Sequence, residues 1–279
     1  MSNLAQLPNY LFTINYTATL PGGRVWHKIG RMYPIFGRYG PFFLYGYSVA
    51  LGLGLIVSLG LTAWLARDKS QPCWIDGLLL SLLAGVGGGR LGFVLGQWGY
   101  FRQRPSEIGD IWQGGLSYHG ALMAGLLALG LWCRWRKRPF YQYAALLAPS
   151  LTLLHLFGWL ACWLEGCAYG REAVLDGRIW TRWLTADLPD TFGVFGLRYQ
   201  TQMGGMVLSF LLFLGVWWGY GRWPPSRLFW FNLLALSTIH TFLHFGRGDV
   251  TNINLALNAA LALLSLILLQ YVKRNYVIM

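Results

Sequence analysis

The sequence predicts an all-α polytopic membrane protein of about seven transmembrane helices, and three observations predict it. Of 279 residues, 55% are apolar and only 11% charged, against about 25% charge in an average soluble domain. Mean hydropathy is +0.43, and apolar runs recur from about residue 40 to the C-terminus in segments of roughly twenty, the length that crosses about 30 Å of hydrocarbon. Trp and Tyr each occur fifteen times, and their rings settle where headgroup meets acyl chain.

Residues 1–40 read as an interfacial N-terminal segment. Leu11–Tyr16 and Arg24–Arg38 have β character around the turn Leu20-Pro21-Gly22-Gly23, and Gly37, Gly40 and Pro41 close the stretch. Met1 to Leu20 lacks the basic and continuous apolar regions of a secretory signal, so no cleavage is expected. Residues 41–279 read as a single seven-helix domain, because no Ser/Pro-rich linker or charge block divides them. The spans are placed at 41–66, 77–98, 115–133, 142–165, 203–221, 227–246 and 253–272. The one long loop, about 170–199, carries Trp180, Trp183 and Pro189 among charges and reads as an external cap on one membrane face.

The net charge is +12. Its basic residues collect at helix ends in short loops instead of striping a soluble face, which argues for anionic lipid and against nucleic acid. Arg67, Lys69, Arg134, Arg136, Lys137, Arg138, Arg222, Arg227, Lys273 and Arg274 gather on one side, with Asp68 almost the only acid. The opposite side dilutes its basic residues with Glu107, Asp110, Glu172, Asp176, Asp187 and Asp190. The positive-inside rule then places the first side and the C-terminus in the cytoplasm and the N-terminus outside. Cys73, Cys133, Cys162 and Cys167 form no C-x-x-C pair and read as small packing residues.

Ionisable groups at membrane depth are costly, so Arg90, His119, His155, Glu165, His240 and His244 are the candidates for chemistry. Arg90 sits among glycines, where a lipid headgroup could approach the backbone or the long side chain could snorkel to the interface. Gly88, Gly92 and Gly96 recur every four residues and leave a flat strip for a second helix. His119 is flanked by small residues that clear space beside an imidazole suited to general-base work near neutrality. His240 and His244 lie one turn apart, a geometry a metal accepts, but the glutamate of a His-Glu-x-x-His site is missing. No metal and no cofactor is expected.

Gly88-Gly89-Arg90-Leu91-Gly92-Phe93-Val94-Leu95, followed by Trp112-Gln113-Gly114-Gly115-Leu116-Ser117-Tyr118-His119-Gly120, resembles the central signature of the bacterial prolipoprotein diacylglyceryl transferase family. The likeness extends upstream to Phe36-Gly37, Pro41 and Leu44-Tyr45-Gly46, and downstream through Arg136 to Phe140, Ala148-Pro149 and Tyr169-Gly170-Arg171. The resemblance implies a bacterial inner-membrane enzyme that moves the diacylglyceryl group of phosphatidylglycerol to the lipobox cysteine of a prolipoprotein signal peptide, releasing glycerol phosphate. It implies His119, His240 and Arg247 as catalytic residues, and Tyr45, Arg90, Glu165, Gly170, Gln202 and His244 as substrate-binding residues. The chain also departs from the pattern. Trp159 stands where the family has an arginine, Cys162 and Cys167 where it has asparagine and glutamate, and Glu165 where it has a second asparagine. His240 and His244 stand for a further arginine and glutamate, and Tyr199-Gln200 for a histidine-proline. The alternative is a catalytically degenerate member that serves as a lipid-binding or structural subunit alongside other membrane subunits.

Overall fold

The computed structural model describes residues 35–39, 42–67, 73–111, 115–174, 183–190, 194–249 and 252–277. Most of the N-terminal segment, including Leu11–Tyr16 and the Leu20–Gly23 turn, lies outside the described residues. What is described of it begins with strand β1 (Ile35–Tyr39), which pairs antiparallel with β2 (Phe42–Tyr45). The first span therefore starts later than its apolar run: Phe42, Phe43, Leu44 and Tyr45 were counted as helix and belong to the strand. Aromatic residues straight after Gly40-Pro41 in the sequence suit a pleated strand better than a helical first turn.

Helices α1 (Gly46–Ala66) and α2 (Trp74–Gly96) follow, then the short α3 (Trp98–Phe101) and a 3₁₀ turn at Pro105–Gly109. After these come α4 (Tyr118–Trp135), α5 (Phe140–Glu165), α6 (Thr201–Gly219), α7 (Pro225–His244) and α8 (Asn252–Val277). Among the described residues six helices are long and apolar enough to cross a membrane, namely α1, α2, α5, α6, α7 and α8. The expected seventh span, 115–133, folds as the 18-residue α4. It is roughly 27 Å long at 1.5 Å per residue, but His119 and Arg134 near its ends lower its hydropathy.

Small residues set the helix pairings. α2 and α4 run antiparallel with their backbones almost touching: a Cβ on Gly120 would overlap the Gly88 carbonyl oxygen, and one on Gly88 would overlap the Ala124 methyl. The glycine strip read from the sequence is thus an α2–α4 seam at Gly88 and Gly92, whereas Gly96 meets nothing within 4 Å. α1 lies antiparallel on α5, where Gly54 admits the Phe157 ring and Thr62 and Ser150 share a 2.6 Å hydroxyl hydrogen bond. α5 and α7 run parallel, joined where Thr152 Oγ1 donates to Asn232 Oδ1 at 2.9 Å. Buried ties of this kind average about 0.6 kcal/mol between membrane helices, because the separated helices also find partners. Large apolar side chains such as Ile56, Leu83 and Leu127 are turned outward, as contact with acyl chains requires.

Within the loop at 170–199, β3 (Thr185–Pro189) and β4 (Phe195–Tyr199) form an antiparallel hairpin. Arg198 ties it down, being 6% exposed, with Nη2 3.2 Å from Glu172 and 3.3 Å from Asp190. Trp180 lies outside the described residues. The reading of the cysteines needs correction at one pair, because Cys162 and Cys167 are joined in a disulfide with Cα atoms 4.7 Å apart. Gly166, with φ of 85°, provides the left-handed turn that ends α5 and folds the chain back to allow it. Cys133 is a buried packing residue as expected, and Cys73 is exposed.

Candidate functional site

The polar groups gather at one end of the bundle, where α4, α6 and α8 begin and α5 and α7 finish. Their spacing along each helix turns them toward one another. On α5, His155, Trp159 and Cys162 follow at intervals of four and three, and on α7 His240 and His244 are one turn apart, with Arg247 just beyond the helix end. On α6, Gln202, Gly205 and Ser209 make a similar stripe.

Tyr118 is the hub. Its ring lies 4.1 Å from the His240 ring, 5.4 Å from His119 and 5.9 Å from His155, centroid to centroid. His155 Nε2 and His240 Nε2 are 2.9 Å apart, and His155 Nδ1 is 2.9 Å from Ser209 Oγ. His119 Nε2 is 2.9 Å from Oδ1 of Asn258, a 3% exposed residue of α8. A carboxamide oxygen only accepts, so His119 donates through Nε2 and keeps the lone pair on Nδ1. Ser117 caps α4 by accepting from Gly120 N at 3.3 Å, which fixes where the His119 turn begins.

Trp159 forms one wall. It is 4% exposed, fits a notch at Gly205 that any Cβ would fill, and lies 5.8 Å from the His240 ring. The Arg247 guanidinium lies over the Trp159 ring, 6.0 Å from its centroid, and holds Asp249 bidentately at 2.9 and 3.0 Å. Gly170 pairs with Arg247 in an isolated β-bridge, so close to Tyr199 that a Cβ would overlap its carbonyl oxygen. Gln202 is fully buried; its Nε2 donates to Cys167 O at 2.9 Å, and its Oε1 has no hydrogen-bond partner among the described residues. His244, 6% exposed, likewise has no partner on Nδ1 among the described residues.

The structure therefore brings together His119, His240, Arg247, Gly170 and Gln202, with His244 one turn away. Tyr45 and Glu165 sit at the same end, at the start of α1 and the end of α5, and both are exposed. Arg90 turns elsewhere. Its three nitrogens donate to the carbonyls of Ile108 (2.8 Å), Glu107 (2.6 Å) and Gly115 (3.3 Å), between the rings of Phe93 and Phe101. That guanidinium braces the segment leading into the His119 turn. Sequence reasoning passed over Tyr118, Ser209 and Asn258. Asn258 had a visible signal, as a carboxamide set among apolar residues between Leu255 and Leu269 of the last span.

A bundle of membrane-length helices with imidazoles and unpaired polar atoms converging at one end defines a multi-pass membrane protein with an intramembrane polar site. The family model for prolipoprotein diacylglyceryl transferase matches residues 34–272, and the chain belongs to that family. A relative from Parasynechococcus marenigrum (strain WH8102), the phosphatidylglycerol--prolipoprotein diacylglyceryl transferase, is 34% identical over 183 residues, 65% of each chain. The protein of the same name from Trichormus variabilis is 30% identical over 149 residues, 53% of each chain. That from Geobacillus kaustophilus is 27% identical over 213 residues, covering 67% of this chain and 77% of the relative. The chain thus spans from about half to two thirds of the length of the first two relatives. Six membrane-length helices and this family membership make it a multi-pass bacterial inner-membrane protein.

Proposed function

We propose that the protein transfers the diacylglyceryl group of phosphatidylglycerol to the cysteine thiol of a prolipoprotein lipobox. The single observation that carries this reading is the convergence of His119 and His240 on Tyr118, at the bundle end where the residues of the family resemblance collect. Thiol alkylation needs a group that helps the sulfur ionise and donors that stabilise the departing phosphate. His119, held by Asn258, orients the thiol beside the His240 imidazole. Arg247, the His244 imidazole and the Gln202 amide meet the headgroup in this reading, with Tyr45, Gly170 and Glu165 around its entrance; Arg90, expected there from the sequence, instead braces the segment that leads into the His119 turn.

The reaction then occurs at the external face, with the N-terminus outside and the C-terminus in the cytoplasm. Basic residues crowd the opposite end, and the Cys162–Cys167 disulfide lies at the site end, as an oxidising external compartment favours. The test uses the purified full chain in phosphatidylglycerol vesicles with a synthetic lipobox peptide. The expected result is a peptide carrying one diacylglyceryl group on its cysteine, seen by mass spectrometry. An unmodified peptide with the wild-type chain, under conditions where a related transferase modifies it, would remove the enzymatic reading.

A further inference from the structure

We propose that His155 is a positioning residue that fixes the proton of His240 on Nε2, so that His240 presents Nδ1 as the acceptor of the substrate's thiol proton. The proposal rests on the transfer reading above and assigns a role within the same site.

The hydrogen-bond chain sets the tautomers one atom at a time. Ser209 Oγ lies 2.6 Å from the Gly205 carbonyl oxygen. A carbonyl cannot donate, so the only hydroxyl proton of Ser209 points there. Ser209 must then accept from His155 Nδ1 at 2.9 Å, which leaves neutral His155 with its lone pair on Nε2. The contact of 2.9 Å between the two Nε2 atoms therefore has His240 as donor. Neutral His240 carries its proton on Nε2 and its lone pair on Nδ1.

The ring packs against two aromatic neighbours, Tyr118 at 4.1 Å with planes 34° apart and Trp159 at 5.8 Å with planes 33° apart. Trp159 is in turn locked in the Gly205 notch of the same helix that carries Ser209. One end of the relay is thus anchored in backbone, and the other ends in the lone pair on His240 Nδ1. This is the logic by which a base is oriented by a third group in nucleophilic catalysis.

The step balances without any further reagent. The thiol S–H bond breaks and its proton passes to His240 Nδ1, while His240 Nε2–H continues to donate to His155. The thiolate forms a C–S bond to the glyceryl carbon bearing the phosphate ester, and the C–O bond breaks with its electron pair going to phosphate. The proton then moves from His240 Nδ1 to that phosphate oxygen, which leaves as glycerol phosphate. His119 orients the thiol on the other side of Tyr118.

The experiment compares wild type with His155→Phe, which fills the space without accepting, and His155→Gln, whose amide oxygen accepts again. Thermal midpoints establish that each variant is folded. Against phosphatidylglycerol vesicles and the lipobox peptide, His155→Phe should lose on the order of 100-fold in kcat, the cost of a misplaced reacting group, with KM for the lipid unchanged. His155→Gln should recover a substantial part. A purely packing role for His155 predicts the opposite order, with Phe tolerated and Gln poor, and that order would overturn the proposal. Independently of activity, ¹⁵N spectra of histidine-labelled protein in bilayers should show His240 bare at Nδ1 and protonated at Nε2. A protonated Nδ1 would also overturn it. If the spectra are as expected and wild type transfers nothing, the transfer reading fails and the placement of the proton on His240 stands.

Discussion

Replacing Gly120 with alanine tests whether the α2–α4 seam is what delivers His119 to the site. The new methyl would overlap the Gly88 carbonyl oxygen and lie 3.1 Å from the Gly88 carbonyl carbon and 3.3 Å from Gly92 Cα. All three are helix backbone, so no side chain can swing aside. Restoring ordinary contact requires the helices to part by about 1 Å, and gaps of that size forfeit up to half of the dispersion attraction along the seam. Overpacking of this kind costs about 1–3 kcal/mol, which for a chain of this size lowers the thermal midpoint by several degrees, on the order of 5 °C. The same shift carries Tyr118 and His119 away from His240 and Asn258, and a misplacement of about 1 Å costs on the order of 100-fold in rate. Gly87→Ala and Gly96→Ala, whose Cβ atoms meet nothing within 4 Å, are the controls and should leave both readouts within error. The assay pairs a melting curve in detergent with peptide transfer. If Gly120→Ala melts and transfers like the two controls, the seam is not what positions His119.

His119→Ala should reduce transfer on the order of 100-fold, the cost of a misoriented thiol, and lower the midpoint modestly because the buried Asn258 loses its partner; near-normal transfer would take His119 out of the mechanism. Alkylating the denatured, unreduced protein should add label to two of its four cysteines, Cys73 and Cys133, and to all four after reduction, read by intact mass. The double substitution Cys162→Ala/Cys167→Ala should lower stability by about 2 kcal/mol, the entropy of closing so short a loop, measured as a lower midpoint. Asn232→Leu should cost about 0.5–2 kcal/mol, because the single proton of Thr152 Oγ1 can turn fully to the Ala148 carbonyl oxygen 2.9 Å away; a loss much beyond that would mean Asn232 does more than tie α5 to α7.

Composition, apolar run length and the glycine interval follow from what a bilayer demands of any chain, so they were legible residue by residue. The spans, the α2 glycine strip and the exposure of membrane depth to Arg90, His119, His155, His240 and His244 all came from that logic. The limit appears at Phe42–Tyr45, where hydropathy alone cannot separate a strand from the first turn of a helix. It appears again at α4, where terminal polar residues offset an apolar middle.

The sequence by itself determined that this chain lives in a membrane and that a handful of costly polar side chains had to find one another. Only the tertiary structure decided which of them did. Arg90 satisfies three loop carbonyls, whereas His155, a candidate to which the family resemblance gave no role, meets His240 across 85 residues of chain, and Cys162 closes on Cys167 around a left-handed glycine. Helical periodicity fixes the direction of a side chain relative to its own axis, but its partner depends on which helix stands opposite and at what height. That is set by how closely small residues such as Gly88, Gly120 and Gly205 let two backbones approach.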